Sequence, residues 1–134
     1  MITQTELNTI IERANILADL YELADKTLII VDIQDFFYKI KSLDYLESLS
    51  FPTDMGVCPY QNLIHIEWIA ISSDFKTNEL KIEFKGNQKV NLFADYESFN
   101  LTIDQEVPLN DDFPNIIVSH LQNFKQTTKK KKYK

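Results

Sequence analysis

Residues 62–94, NLIHIEWIAISSDFKTNELKIEFKGNQKVNLFA, read as three antiparallel strands in series. Ile64, Ile66 and Trp68 alternate with His65 and Glu67. Successive side chains of a strand point to opposite faces, so one face is apolar and the other polar. Leu80, Ile82 and Phe84 alternate with Lys81, Glu83 and Lys85, and Val90, Leu92 and Ala94 repeat the pattern. Residues 72–78, SSDFKTN, supply the first turn, rich in side chains that bond their own backbone. Gly86-Asn87-Gln88 supplies the second, where Gly86 can take the positive φ of a tight hairpin. Such alternation predicts a sheet with one face on the core and one in water. The wet face carries Glu67, Lys81, Glu83, Lys85 and Lys89, whose opposite charges can pair across strands. Past Trp68 the pattern lapses into Ile69, Ala70 and Ile71, which points to a bulge or to cover on both faces.

Upstream of this ribbon, residues 3–24 have helical spacing. Thr3 and Glu6 fit a capping box, in which each side chain satisfies the other's free N–H. Leu7, Ile10, Ile11, Ala14, Leu17, Ala18 and Tyr21 make the apolar stripe, and Glu12, Asn15, Asp19 and Glu22 the solvated face. Ile16, Leu20 and Leu23 widen the stripe enough to meet two neighbours or a second subunit, which leaves a homodimer open. Residues 27–33, TLIIVDI, pull two ways: the β-branched run favours a strand, the lack of Gly or Pro before Pro52 favours helix, and the reading leans to helix. Helical spacing returns over 35–49, with Phe36, Phe37, Ile40, Leu43 and Leu46. Residues 50–61 hold two prolines and Gly56 and read as an extended connector.

Downstream, residues 98–103 read as a fourth strand with Phe99, Leu101 and Ile103 inward, followed by a polar loop over 104–111. Asp112 is placed to cap a last helix, with Pro114 in its first turn and Phe113, Ile116, Ile117, Leu121 and Phe124 on one face. Residues 127–134 offer no core positions and read as a disordered lysine-rich tail. The expected architecture is α+β: N-terminal helices, a three- to four-stranded antiparallel meander and a C-terminal helix, in one domain over residues 1–126.

Composition narrows the function classes. A chain of 134 residues buries roughly two-thirds of its unfolded surface and needs no staple. Its one cysteine, Cys58, excludes an internal disulfide framework. The start, MITQTELNTI, has neither basic nor apolar leader regions, and no apolar run approaches the ~20 residues of a spanning helix, so a cytoplasmic chain with no membrane partner is expected. Removing Lys125, Lys129, Lys130, Lys131, Lys132 and Lys134 from a net charge of −6 leaves a body at −12. An acidic body predicts a protein partner with a basic surface. Candidate contact residues are the helix-end acids Asp19, Glu22 and Asp25 and the loop acids Asp104, Glu106, Asp111 and Asp112. Lys129, Lys130, Lys131 and Lys132 can grip phosphates, a weak nucleic-acid contact without an arginine to read bases.

Catalytic and cofactor signals are sparse. Two glycines, Gly56 and Gly86, make no phosphate-cradling loop. His65 on the polar strand face and His120 on the last helix lack His-x-x-x-His or Cys-x-x-Cys partners, so neither metal nor cofactor is expected. Cys58 has Asp54 as its nearest charge, which opposes a reactive thiolate.

Two resemblances add to this reading. Asp32, Gln34 and Phe37, after the apolar run from Thr27, resemble the first-strand motif of isochorismatase-like hydrolases. That family pairs the aspartate with a lysine and a nucleophilic cysteine, which implies a small hydrolase using Asp32 and Cys58 as the alternative function. Asp35 and Phe36 depart from the family's Asn-Asp pair, and Cys58 follows too soon. Ile64-x-Ile66-Glu67-Trp68 with Leu80-x-Ile82-Glu83-Phe84 and Val90, after Pro52 and Pro59, resembles a hairpin of small uncharacterised bacterial proteins, sometimes encoded beside toxin–antitoxin or phage-defence genes. Asn62 and Leu63 stand where those proteins usually have a glycine. This second likeness implies a non-catalytic accessory protein. The leading expectation is therefore a bacterial or phage protein-binding module that neutralises or regulates a partner, as an antitoxin, immunity protein or defence component does.

Overall fold

A computed structural model of the chain describes residues 3–41, 51–71, 74–97 and 100–110. The expected last helix, the lysine tail, Asp111, Asp112 and His120 lie outside these residues, as do 42–49 of the second helical stretch. Helix α1 spans Gln4–Leu20 and α2 spans Lys26–Lys41. Five strands follow: β1 Asp54–Cys58, β2 Leu63–Ile71, β3 Thr77–Phe84, β4 Lys89–Tyr96 and β5 Leu101–Pro108. They form one antiparallel sheet in the order β1-β2-β3-β4-β5, each strand beside its neighbour in the chain.

The capping box is present: the Thr3 hydroxyl accepts from the Glu6 N–H at 3.1 Å, and the Glu6 carboxylate accepts from the Thr3 N–H at 3.0 Å. The far end of α1 closes earlier than residue 24. Glu22 turns left-handed at φ 51°, the Leu23 N–H donates to the Ala18 carbonyl at 3.0 Å, and the Glu22 N–H donates to Asp19 at 3.2 Å. This paired arrangement is a Schellman motif, with buried Leu23 against buried Ala18 as its apolar clasp. The next residue, Ala24, donates its N–H to Asn62 Oδ1 at 2.8 Å, which ties the interhelix link to the β1–β2 turn.

Residues 27–33 are helical, the side to which the sequence leans. Ile29, Ile33, Phe36 and Phe37 fall on one helical stripe and all are buried. Phe36 meets Phe84 edge-on at 5.5 Å between ring centroids, and Phe37 meets Trp68 at 6.2 Å. The helices thus lie over the sheet face bearing Ile64, Ile66, Trp68, Leu80, Ile82, Phe84 and Leu92, all buried.

Three expectations need correction. The connector contains a strand: Met55 and Val57 pair with Ile66 and Ile64, and Pro52 and Pro59 bracket β1 without entering it. The polar loop after residue 103 is also strand through Pro108, so the sheet has five strands, not three or four. Both added strands are at the edges of the sheet, where their exposed sides need no apolar alternation. The lapse after Trp68 is neither a bulge nor doubly covered. Register runs unbroken from Ile64↔Phe84 to Ile71↔Thr77, and Ile69 and Ile71 stand 39% and 52% exposed. Among the described residues, no helix is long and apolar enough to cross a membrane.

Candidate binding face and acid–imidazole corner

Directly opposed residues of neighbouring strands share a face, so the register assembles the outer surface row by row. One row is Asp54, Glu67, Lys81, Phe93 and Asp104. The next is Gly56, His65, Glu83, Asn91 and Glu106. A third holds Ile69, Glu79, Asp95 and Thr102. Seven carboxylates therefore share this face with one lysine inside the rows. Among the described residues no helix covers it, and its side chains are half-buried or exposed.

Some of the charge is matched. Asn91 donates through Nδ2 to Glu83 at 3.0 Å and to Asp104 at 3.1 Å. Lys89 sits 3.6 Å from Glu106. Lys81, directly opposite Glu67, instead places its ammonium over the Phe93 ring at 5.2 Å. The expected cross-strand pairing of Glu67 with Lys81 thus competes with a cation–π contact.

The consequence falls on Glu67. Partial burial, a hydrogen bond with the Glu79 carboxyl, and repulsion from Glu79 and Asp54 push it up to about 7, with Lys81 pulling weakly the other way. A carboxyl so placed ionises at a cost, which is why Glu67 holds its proton to higher pH than an exposed glutamate. Asp54, His65 and Glu67 also form a corner whose donor atoms all lie within 4.8 Å of one another. Asp54 falls in a stretch with two prolines and a glycine that reads as connector, so the sequence alone does not bring it beside His65 and Glu67. The signal the sequence does carry is His65-x-Glu67, two donors at i and i+2 on one side of a strand.

The other expected acids do not join this face. Asp19 lies at the end of α1, paired with Lys26, and Glu22 forms the left-handed turn beyond it. Both belong to the helix layer, whereas Asp104 and Glu106 are on the sheet.

Asp32 and Cys58 take no part in a shared site. Asp32 is 3% exposed within α2 and accepts the Gln88 N–H at 2.9 Å, a tie between helix and β3–β4 turn. Burial raises its carboxyl above the ordinary value, against the pull of that N–H, and Asp35 adds repulsion. Cys58 ends β1, in the alternate positions that Asp54 and Gly56 mark as the outer face. The hydrolase motif requires a strand where this chain has helix, so its likeness at Asp32 has no structural counterpart.

Two hollows are present near the helices. One of about 300 Å³ lies between α1 and α2, beside Gln4, Ile11, Gln34 and Tyr38. The other, about 260 Å³, lies between α1 and β1, beside Arg13, Ile16, Asp54 and Met55. The second also has Thr53 in its lining, whose hydroxyl accepts the Ile69 N–H at 3.0 Å. Comparison with known proteins returns no match, whether to a family model, a curated protein or a solved structure.

Proposed function

We propose that the chain is a non-catalytic binding protein that receives a basic protein surface on the outer face of its sheet. The role is that of an antitoxin, immunity or defence-system component of a bacterium or phage. The observation that carries this reading is the row Ile69, Glu79, Asp95, with Ile71 beside it and Phe75 87% exposed in the adjoining turn. Exposed aliphatic and aromatic groups at the rim of an acidic sheet supply both halves of a recognition surface. The apolar groups give contact area, and the carboxylates give orientation and a fast encounter. The Asp104 and Glu106 carboxylates extend the same face to β5.

The test compares two charge-reversed variants as bait in extract of the native host at moderate salt. Glu79→Lys with Asp95→Lys alters the sheet face; Asp19→Lys with Glu22→Lys alters the helix layer. The proposal expects one specific basic protein on the parent and on the helix-layer variant, and none on the sheet-face variant. Recovery of no specific partner, or loss with the helix-layer variant alone, overturns it.

A further inference from the structure

We infer that the Asp54–His65–Glu67 corner is a binding site for a divalent transition-metal ion of the zinc class. The inference is independent of the partner proposed above, since it concerns the isolated chain. Three donors of two types converge there: an imidazole nitrogen and two carboxylate oxygens, mutually within 4.8 Å. Ligands bound at about 2.0–2.2 Å stand roughly 3–3.5 Å from one another, so side-chain rotation alone closes the set. Backbone register holds two of the residues face to face, Asp54 against Glu67, and sets His65 two positions along β2.

The fourth position of this square is Gly56, opposite His65. Its φ is not in the left-handed region, so no turn demands a glycine there. A Cβ at this position would sit 2.8 Å from both Cε1 and Nε2 of His65. The missing side chain is what lets the imidazole lie across β1, with Nε2 over the strand. Glycine inside a strand otherwise weakens it, and often marks a close approach of this kind.

Ligand type selects the ion. An imidazole with carboxylates suits zinc, manganese, cobalt or nickel, whereas magnesium and calcium prefer oxygen alone. Three protein ligands on an open face leave at least one position for water or an incoming donor. Glu79, hydrogen-bonded to Glu67, is placed to orient that ligand from behind.

The experiment uses the purified full chain, stripped of metal, titrated with Co²⁺ followed by its visible absorption and with Zn²⁺ by calorimetry, Mg²⁺ serving as control. One equivalent of Co²⁺ and Zn²⁺ is expected to bind, with Mg²⁺ far weaker. His65→Ala and Glu67→Gln should each weaken binding by more than about tenfold. Gly56→Ala should do the same by displacing the ring, with circular dichroism unchanged; should it fail to fold, the His65→Ala result decides. Asp104→Asn, on the same face but away from the corner, and His120→Ala should leave binding intact. No stoichiometric binding, binding that survives His65→Ala, or binding that vanishes with His120→Ala overturns the site.

Discussion

At the residue scale, Asp32 shows how a polar group inside a core acts as a fastener. Its carboxylate holds the Gln88 N–H, and Gln88 itself is turned to φ 62°. A raised carboxyl means that folding favours the protonated form. Its contribution to stability is full below the ordinary value of 3.8 and is lost as pH rises through the folded value. Asp32→Asn keeps an oxygen acceptor and removes the buried charge. In urea unfolding it should therefore equal or exceed the parent at pH 7, with its advantage shrinking at pH 4. A marked loss at pH 7 would contradict burial as the dominant influence. Asp32→Leu strands the N–H and should cost about 1–3 kcal/mol. Glu22 offers the opposite test. A non-glycine residue in the left-handed region costs about 1–2 kcal/mol, and glycine adds about 0.5–1 kcal/mol of chain entropy to be lost. Glu22→Gly should then stabilise by a net of about 0.5–1 kcal/mol, read from the denaturation midpoint at constant slope.

At the element scale, α2 and β2 divide the chain into a part that folding needs and a part that it leaves exposed. Phe36 is fully buried between α2 and β3, touching Phe37 and Phe84. Phe36→Ala removes that contact and should cost about 3–5 kcal/mol. Ile69 and Ile71 lie on the far side of β2, and their replacement by Thr should change stability by no more than about 0.5 kcal/mol. If the outer face binds a protein, the same two changes reduce capture of the partner. Thermal unfolding and capture measured on one set of variants separate the two roles. The edge strands are guarded differently: Pro52 and Pro59 flank β1, and Pro108 ends β5, which limits pairing with further chains.

At the scale of the whole molecule, charge and topology set the behaviour. Every strand pairs with its neighbour in sequence, so the sheet assembles from local hairpins at modest loop-closure cost. The carboxylates gathered on its outer face outnumber Lys81 and Lys89 beside them, so they repel one another and solvent ions screen the excess. Salt shortens the Debye length from about 30 Å at 0.01 M to about 8 Å at 0.15 M. Unfolding free energy should therefore rise over that range in sodium chloride, and the rise should be smaller in Glu79→Gln. A protein whose stability falls with salt would show that ion pairs, not repulsion, dominate the face.

The sequence by itself determined whatever depends on near neighbours. Alternation at Ile64–Trp68 and Leu80–Phe84 marked the central strands and their buried side. Thr3 and Glu6 marked the start of α1, where a helix end must satisfy its own N–H groups. Tertiary structure alone decided what depends on pairing across the sheet. Residues 54–58 and 104–108 became strands because β2 and β4 offer them hydrogen bonds, not because their own pattern demands it. The β-branched run in α2 became helical because Ile29, Ile33 and Phe37 bury together in that form. The corner of Asp54, His65 and Glu67 exists only through register, since a shift of β1 by one residue would turn Asp54 to the other face.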